Sequence, residues 1–445
     1  MTYDWESDYA VRGKLSAGKQ ASQAGDAVLL GVNGKIPDSF ISGSDYKYSL
    51  TFDPTTFITD PTGCLTYADD AVGFTRVDNS ASTSLQAASP GSWGNDNPMI
   101  NSMFYATFDA DGNVHHILDP SNLTKDINGE DRSTEITQEN VMLVIPTIYT
   151  KRNANGISIS SKRSEGTAYA HTYDGHTYKY LAIGVYEGTI VDSKLMSVSG
   201  SAEPAYNVTR AACRTAVWKN SSSSPSTGAT ANGQWMLTNW HVRQLIRDIT
   251  IMTLKSFDSQ RQLGQGFSLG GSNAEGNRAL APGLANTLGR FAGNAAGTSN
   301  VVKCLIENPW ASKWEFIDDI MTGYNDVDQA YADIYVGQQK QVQDDLTKMT
   351  LLDEIETTNM HASTNAFCTS IHTGDVDWGL WNNHDGSDAT GLCDKHWSNP
   401  DAQRLAICGG SSSDGSADGV SALYLGNALS HSYWNVGARP VFVFD

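Results

Sequence analysis

The sequence predicts an α+β fold of short strands and long loops with few helices, and three observations lead there. Charged residues make up only 18% of the chain, and Gly, Ser, Thr and Asn fill the deficit, a composition suited to turns and partly buried strands. Apolar runs of strand length recur between turn signals. Only one stretch shows a clear helical period.

The strand candidates are Met103 to Phe108, closed by the turn Asp109-Ala110-Asp111-Gly112, then Val141 to Ile148, where Pro146 marks an edge or a bulge, and Tyr178 to Tyr186. In the helical stretch Val242, Leu245, Ile246, Ile249 and Met252 form an apolar stripe, with Thr238 placed to cap it. A second helix is expected through Trp314 to Met321, and the Gln/Asp-rich stretch from Gln338 to Thr347 reads as a solvated insertion. No repeat of solenoid or propeller period is present.

With 445 residues, 40% of them hydrophobic, the chain can bury a large core without disulfide staples. Cys64, Cys213, Cys304, Cys368, Cys393 and Cys408 are scattered and lack zinc spacing. They read as buried free thiols, with a Cys393 to Cys408 bridge as the alternative if the protein is oxidised after release. The formal charge of -19, from 30 basic and 49 acidic residues, argues against long-range attraction to nucleic acid or anionic lipid. No apolar run reaches membrane-spanning length. The opening Met1-Thr2-Tyr3-Asp4-Trp5-Glu6-Ser7-Asp8 has neither the positive nor the apolar region of a secretory leader, so synthesis in a cytoplasm and release by lysis are expected.

Residues 1 to 45 read as a separate attachment segment. A short strand from Ala27 to Leu30 meets an Asn33-Gly34 turn, then Ile36 and Pro37. The piece is too small for a core of its own and must pack on another copy or a larger assembly. Its G-K-I-P turn resembles the connector that precedes the distal domain in many phage tail fibres.

Residues 46 to 445 read as one module. VMLVIPTIY at Val141 to Tyr149, YLAIGVYEGTIVDSKLMSVSG at Tyr180 to Gly200, FDSQRQLGQG at Phe257 to Gly266 and IENPWASKWEFIDDI at Ile306 to Ile320 follow in order. The last segment, from Gln403 to Asp445, runs through Gly409-Gly410, a loop-rich stretch, Gly437-Ala438-Arg439 and a terminal strand. This succession resembles phage structural proteins with a C-type-lectin-like fold, related in fold to formylglycine-generating enzymes. The resemblance implies a tail receptor-binding protein, usually trimeric, that attaches to other tail proteins and adheres to a bacterial surface receptor, protein or glycan. It implies no cofactor and no catalysis. The related enzymes bind copper through a closely spaced cysteine pair, and Cys393 and Cys408 are far apart, so oxidase activity is not carried over. A structural tail component without a receptor of its own is the alternative.

The final segment also resembles the variable region of proteins diversified by diversity-generating retroelements, which place changing side chains on a fixed lectin scaffold. The chemistry fits such a division. Val441 to Phe444 is a continuous apolar strand, with Arg439 beside it as a scaffold residue paired internally. Before it lie Ser411, Ser412, Ser413, Asp414, Ser416, Asp418, Ser421, Tyr424, His431, Ser432, Tyr433 and Trp434, aromatic anchors among small hydrogen-bonding groups. Upstream, Trp381, Asn383 and His384, with Asp377, Trp378, Asn382 and Asp385, form a second polar-aromatic cluster that would flank the same face over residues 371 to 445. Core packing is the other reading of Trp378 and Trp381, and an ordinary Gly/Ser-rich loop that of residues 411 to 434.

Three short motifs carry less. Gly266-Phe267-Ser268-Leu269-Gly270 matches the nucleophile elbow of serine hydrolases, but no β-branched strand precedes it and no helical period follows. His171 and His176 flank an Asp174-Gly175 pair that reads as a hairpin turn rather than a metal site. Asp109, Asp111 and Asn113 begin like a calcium loop without its closing glutamate. The metal content stays open, with Asp385, Asp414 and Asp418 as further calcium candidates.

Overall fold

Apolar runs at 104–108, 141–145, 181–183 and 441–444 must be covered on both faces of any sheet they form, and that requirement sets the architecture. The computed structural model of the protein describes residues 44–109, 111–200, 202–324, 331–341, 344–356, 367–383, 385–399 and 402–445. The expected attachment segment, with its strand at Ala27 to Leu30 and its Asn33-Gly34 turn, lies outside the described residues except for its last two.

In chain order the main elements are β1 (Lys47–Phe52), β2 (Leu65–Asp69), β3 (Phe104–Phe108), β4 (Val114–Asp119), β5 (Asn122–Asp126), β6 (Asn140–Pro146), β7 (Tyr149–Asn153), β8 (Gly156–Ser160) and β9 (Tyr180–Gly184). Helix α1 (Arg210–Trp218), β10 (Gly233–Leu237) and helix α2 (Trp240–Leu254) follow. The C-terminal part holds β11 (Trp314–Gly323), β12 (Tyr331–Val336), β13 (Thr350–Glu356), β14 (His396–Ser398), β15 (Arg404–Cys408), β16 (Leu423–Asn427) and β17 (Pro440–Phe444). The result is a mixed α+β protein of three main sheets and few helices.

The first sheet has the order β10-β17-β9-β6-β3-β4-β5, and the second runs β13-β12-β11-β15-β16-β14. A four-stranded sheet, β2-β1-β8-β7, is also present, and the described residues hold besides these a second four-stranded sheet of short strands and two two-stranded ribbons. The chain's last strand is inserted between β9 and β10, with Leu181 opposite Val443 and Trp235 opposite Phe442. Strand β6 lies inside the sheet, between β9 and β3. Pro146 is its final residue, opposite Tyr180, so the proline ends a central strand and marks neither an edge nor a bulge.

Helix α2 departs from expectation in two ways. Its cap is Asn239, whose side chain accepts from the Val242 N–H, because Thr238 is occupied with the Arg439 carbonyl. All of its residues are buried, polar face included. Arg243 donates to the carbonyls of Pro309 and Val420, Gln244 and Trp240 to that of Val376, and Asp248 accepts from Arg152 at 2.6 Å. The helix is thus a central pillar, and many of its buried polar groups are met by distant backbone carbonyls and by Arg152, while Gln244 Oε1 and Arg247 Nε keep no partner among the described residues.

The expected helix at Trp314 to Met321 is instead the strand β11, buried along its whole length. A bulge shifts its register on β15 between Ile317 and Met321, with Asp319 at φ 62°. That bulge breaks the two-residue alternation and leaves Trp314, Ile317, Ile320 and Met321 at apparent helical spacing. Two of its three carboxylates lie inside because cations from distant segments meet them. Arg439 holds Glu315 at 2.6 Å, and Arg214 holds Asp318 at 2.6 Å. Arg210 and Arg214 also reach Asp344, at 2.7 and 2.9 Å. Burial pulls the Asp344 carboxyl up, yet the two arginines hold it below its ordinary range. The stretch read as a solvated insertion is therefore docked at Asp344, and Gln338 donates to the carbonyls of Tyr169 and Thr172.

The hairpin at Asp174-Gly175 forms as read, pairing Tyr173 with His176 and with both turn residues at positive φ, 49° and 79°. His171 is buried against the Ile145 carbonyl, and burial lowers its pKa to about 4. Asp109 accepts from the backbone N–H groups of Asp111 and Asn113 and so closes its own turn. All six cysteines are buried and free, Cys393 and Cys408 included.

Two outcomes follow for stability. Arg439→Met strands Glu315 in the core, and the loss expected in urea unfolding is about 3–5 kcal/mol. Burial raises the Asp319 carboxyl to about 7, so the folded state holds a proton that the unfolded chain releases near pH 4. Its contribution to stability is present below the unfolded pKa, falls as pH rises toward 7 and then levels. Asp319→Asn should therefore gain on the unsubstituted protein between about pH 4 and 7 and keep a constant margin above that, read from paired melting curves across pH.

Candidate functional site

The second sheet brings one row of aromatic side chains to the surface. Trp397 on β14 is the parallel partner of Tyr424 on β16, which lies opposite Ile407 on β15, which in turn faces Phe316 on β11. Paired residues point to the same face, and Trp314, two residues before Phe316, joins them. The opposite face, with Ile317, Ala406, Cys408, Leu423 and Leu425, packs into the core that surrounds α2.

Where the aromatic face reaches solvent it forms an open cleft of about 200 Å³. Trp314, Ile407 and Val436 make its floor; Trp397, Tyr424, His431 and Tyr433 stand around it, with Asp414, Asn427 and Asn435 as polar groups. The rings meet at angles rather than in a stack. Trp397 lies 5.7 Å from Tyr424 and 5.9 Å from Trp314, with interplanar angles of 62° and 74°. His431 and Tyr433 continue the rim at 6.2 Å, and the Lys395 ammonium sits 5.8 Å from the Trp397 ring.

The floor is fixed by hydrogen bonds. Asp414 accepts from Trp314 Nε1 at 2.8 Å and from Ser411 Oγ at 2.6 Å. Burial raises its pKa while these donors oppose the shift. Asn435 donates its side-chain N–H to Ser411 and its carbonyl accepts from the Trp314 N–H, which locks residues 433–436 to β11. Burial also raises the Tyr424 hydroxyl and lowers the His431 imidazole.

Of the residues singled out in the sequence, Asp414, Tyr424, His431 and Tyr433 come together in the cleft. Ser413, Ser416 and Ser432 are exposed nearby in sequence, and Trp434 is half-buried, 6.1 Å from Tyr433. Others point inward. Ser411, Ser412, Asp418, Ser421 and Trp381 are buried. Ser412 Oγ donates to the Arg278 carbonyl, Asp418 accepts from the Ser411 N–H, and the Ser421 N–H donates to Asp394. These groups brace the loop and do not face solvent. Trp381 packs on His396 at 4.7 Å, and Trp378 donates to the Asn153 carbonyl. Asn383 is spent on the N–H groups of Thr369 and Ser370, and His384 lies outside the described residues. Trp314 and Trp397 were not singled out; the alternation of Trp314 with Phe316 was a signal for the first, and nothing local marked the second.

Ser268 is buried, its Oγ has no hydrogen-bond partner, and its carbonyl accepts from the Gly415 N–H. It sits beneath the C-terminal loop, not at an exposed elbow. Among the described residues no group of three or more His, Cys, Asp or Glu side chains is placed to hold a metal ion, and no helix is long and apolar enough to cross a membrane. Neither the protein-family models nor the curated proteins give a match to this chain.

If Asp414 positions the floor, Asp414→Ala leaves the Trp314 indole N–H without its partner. The expected cost is about 1–3 kcal/mol, together with a shift in tryptophan emission that Asp111→Ala, at an exposed turn, does not produce.

Proposed function

We propose that the protein is a receptor-binding adhesin of a phage tail, with a C-type-lectin-like body that grips a glycan on the bacterial surface through the aromatic cleft. The observation that carries this reading is the cleft itself. Sugar rings present flat C–H faces edged by hydroxyls, and the site offers tilted aromatic faces at Trp397, Tyr424 and Tyr433 with Asp414, Asn427 and Asn435 between them. Such sites combine apolar walls with few polar groups that fix orientation. The order of the sequence segments, the buried scaffold arginine and the strand that follows it support the lectin-like and phage assignments. A tail-borne homotrimer would multiply a weak site into useful avidity on a repetitive surface, and exposed positions such as Tyr433 at the rim and Ser413, Ser416 and Ser432 nearby in sequence are the places where a diversified sequence changes at least cost to the fold.

The test is binding of purified protein to panels of intact bacteria and to the polysaccharide extracted from them. Trp397→Ala and Tyr433→Ala should each weaken binding at least tenfold, about 1.4 kcal/mol, while circular dichroism stays unchanged. Undiminished binding by both variants would remove the cleft from recognition. Loss of binding when cells are treated with protease, with the polysaccharide inert, would replace the glycan by a protein receptor.

A further inference from the structure

Two arginines one turn apart on α2 carry their charge into the core without a carboxylate. Arg243 and Arg247 are each 5% exposed. Arg243 spends two N–H groups on the carbonyls of Pro309 and Val420. Arg247 donates to the Trp378 carbonyl and lies 5.8 and 5.7 Å from the Trp240 and Trp378 rings, which offsets part of its desolvation. Its Nε has no partner. Neither guanidinium makes an ion pair among the described residues. The adjacent Asp248 is committed to Arg152 at 2.6 Å, and burial pushes the Asp394 carboxyl, which feels Arg243, well above its ordinary range. Arg152 takes Asp248 and also lies 4.0 Å from Asp375, which leaves Arg243 and Arg247 without an ion-pair partner of their own among the described residues.

Between the two arginines lies a small cavity, bordered also by Gln244, Gly379, Cys408 and residues 420–423. It has room for about one water-sized sphere. Ser421 Oγ on its wall is buried and unpartnered, as is Gln244 Oε1. The glycine at 379, at φ +80°, lets the chain pass where a Cβ would stand 2.7 Å from the Arg247 guanidinium. Two histidines nearby are kept neutral chiefly by burial. Burial first, then Arg152, drives His241 down to about 3, and burial with a contribution from Arg247 does the same to His396.

We propose that this cavity is a site for a monoatomic anion, chloride in ordinary media, held between Arg243 and Arg247 with Ser421 as a third donor. A buried cation is tolerated when an opposite charge and hydrogen bonds meet it. A water would answer the unpartnered N–H and the Gln244 acceptor but not the charge; an anion answers the charge and the donors, and the size of the space excludes phosphate and sulfate. Residues 420–423 run directly into β16, which carries Tyr424, so the anion fastens the central helix to the strand beneath the aromatic cleft. The site stands whatever the cleft binds.

The full chain is melted at constant ionic strength while chloride replaces gluconate, and crystals are soaked in bromide. The melting temperature should rise by several degrees and saturate, as ligand linkage requires, and the rise should disappear in Arg247→Gln. An anomalous bromide peak within hydrogen-bond distance of both guanidiniums is the expected result. The bromide map decides even if Arg247→Gln fails to fold: density for a water without an anomalous peak overturns the proposal, as does a melting temperature indifferent to chloride.

Discussion

Arg439 is the joint on which the two large sheets depend. Its Nε and Nη2 grip Glu315 of β11 in the second sheet, and Nη1 donates to the carbonyls of Gly184 and Val185 at the end of β9 in the first. Nη2 also reaches the carbonyls of Glu307 and Asn308. The planar fork matches a carboxylate on one side and backbone oxygens on the others, geometry that a lysine ammonium does not offer. Because Arg439 directly precedes β17, the strand enters the first sheet at a height set by a contact in the second.

That joint makes sense of the charges buried around it. A strand with three acidic residues enters a core only where each carboxylate is either met by a cation or kept protonated, and β11 uses both solutions. Glu315 and Asp318 have arginines; burial raises Asp319 to about 7, so it holds its proton below neutral pH. The arginines come from α1 and from the residue before β17, so helix, closing strand and second sheet are ordered together or not at all. The cleft inherits this order, since its floor residue Trp314 is the first residue of the same strand.

The sequence made four of the first sheet's strands, β3, β6, β9 and β17, legible because they are apolar runs, a local property, while β4, β5 and β10, which mix polar residues into their short lengths, went unread. It misplaced the start of α2 by one residue, since Thr238 and Asn239 can both cap and only the position of Arg439 decides between them. It misread β11 because the partners of its acids lie far away in the chain, and local spacing alone favoured a helix. In the candidate site, Asp414, Tyr424, His431 and Tyr433 stood out as aromatic and polar groups in a loop-rich stretch. Trp397 did not, because its three-residue strand acquires its place through parallel pairing with residues 423–425. Composition also could not tell a hydroxyl turned to solvent from one turned to backbone, which is why Ser411 and Ser412 read as surface and stand inside.

The position of β17 has a consequence for how the protein is made. Strands β9 and β10 leave the ribosome long before residues 440–444, and until those arrive each keeps an open edge where its inner neighbour belongs. Unpaired edges recruit strands from other chains, so nascent copies crowded on one message expose adhesive edges to each other until residues 440–444 emerge. A reading frame interrupted upstream of Arg439 yields a product without the strand that joins β9 to β10 and without the arginine that meets Glu315.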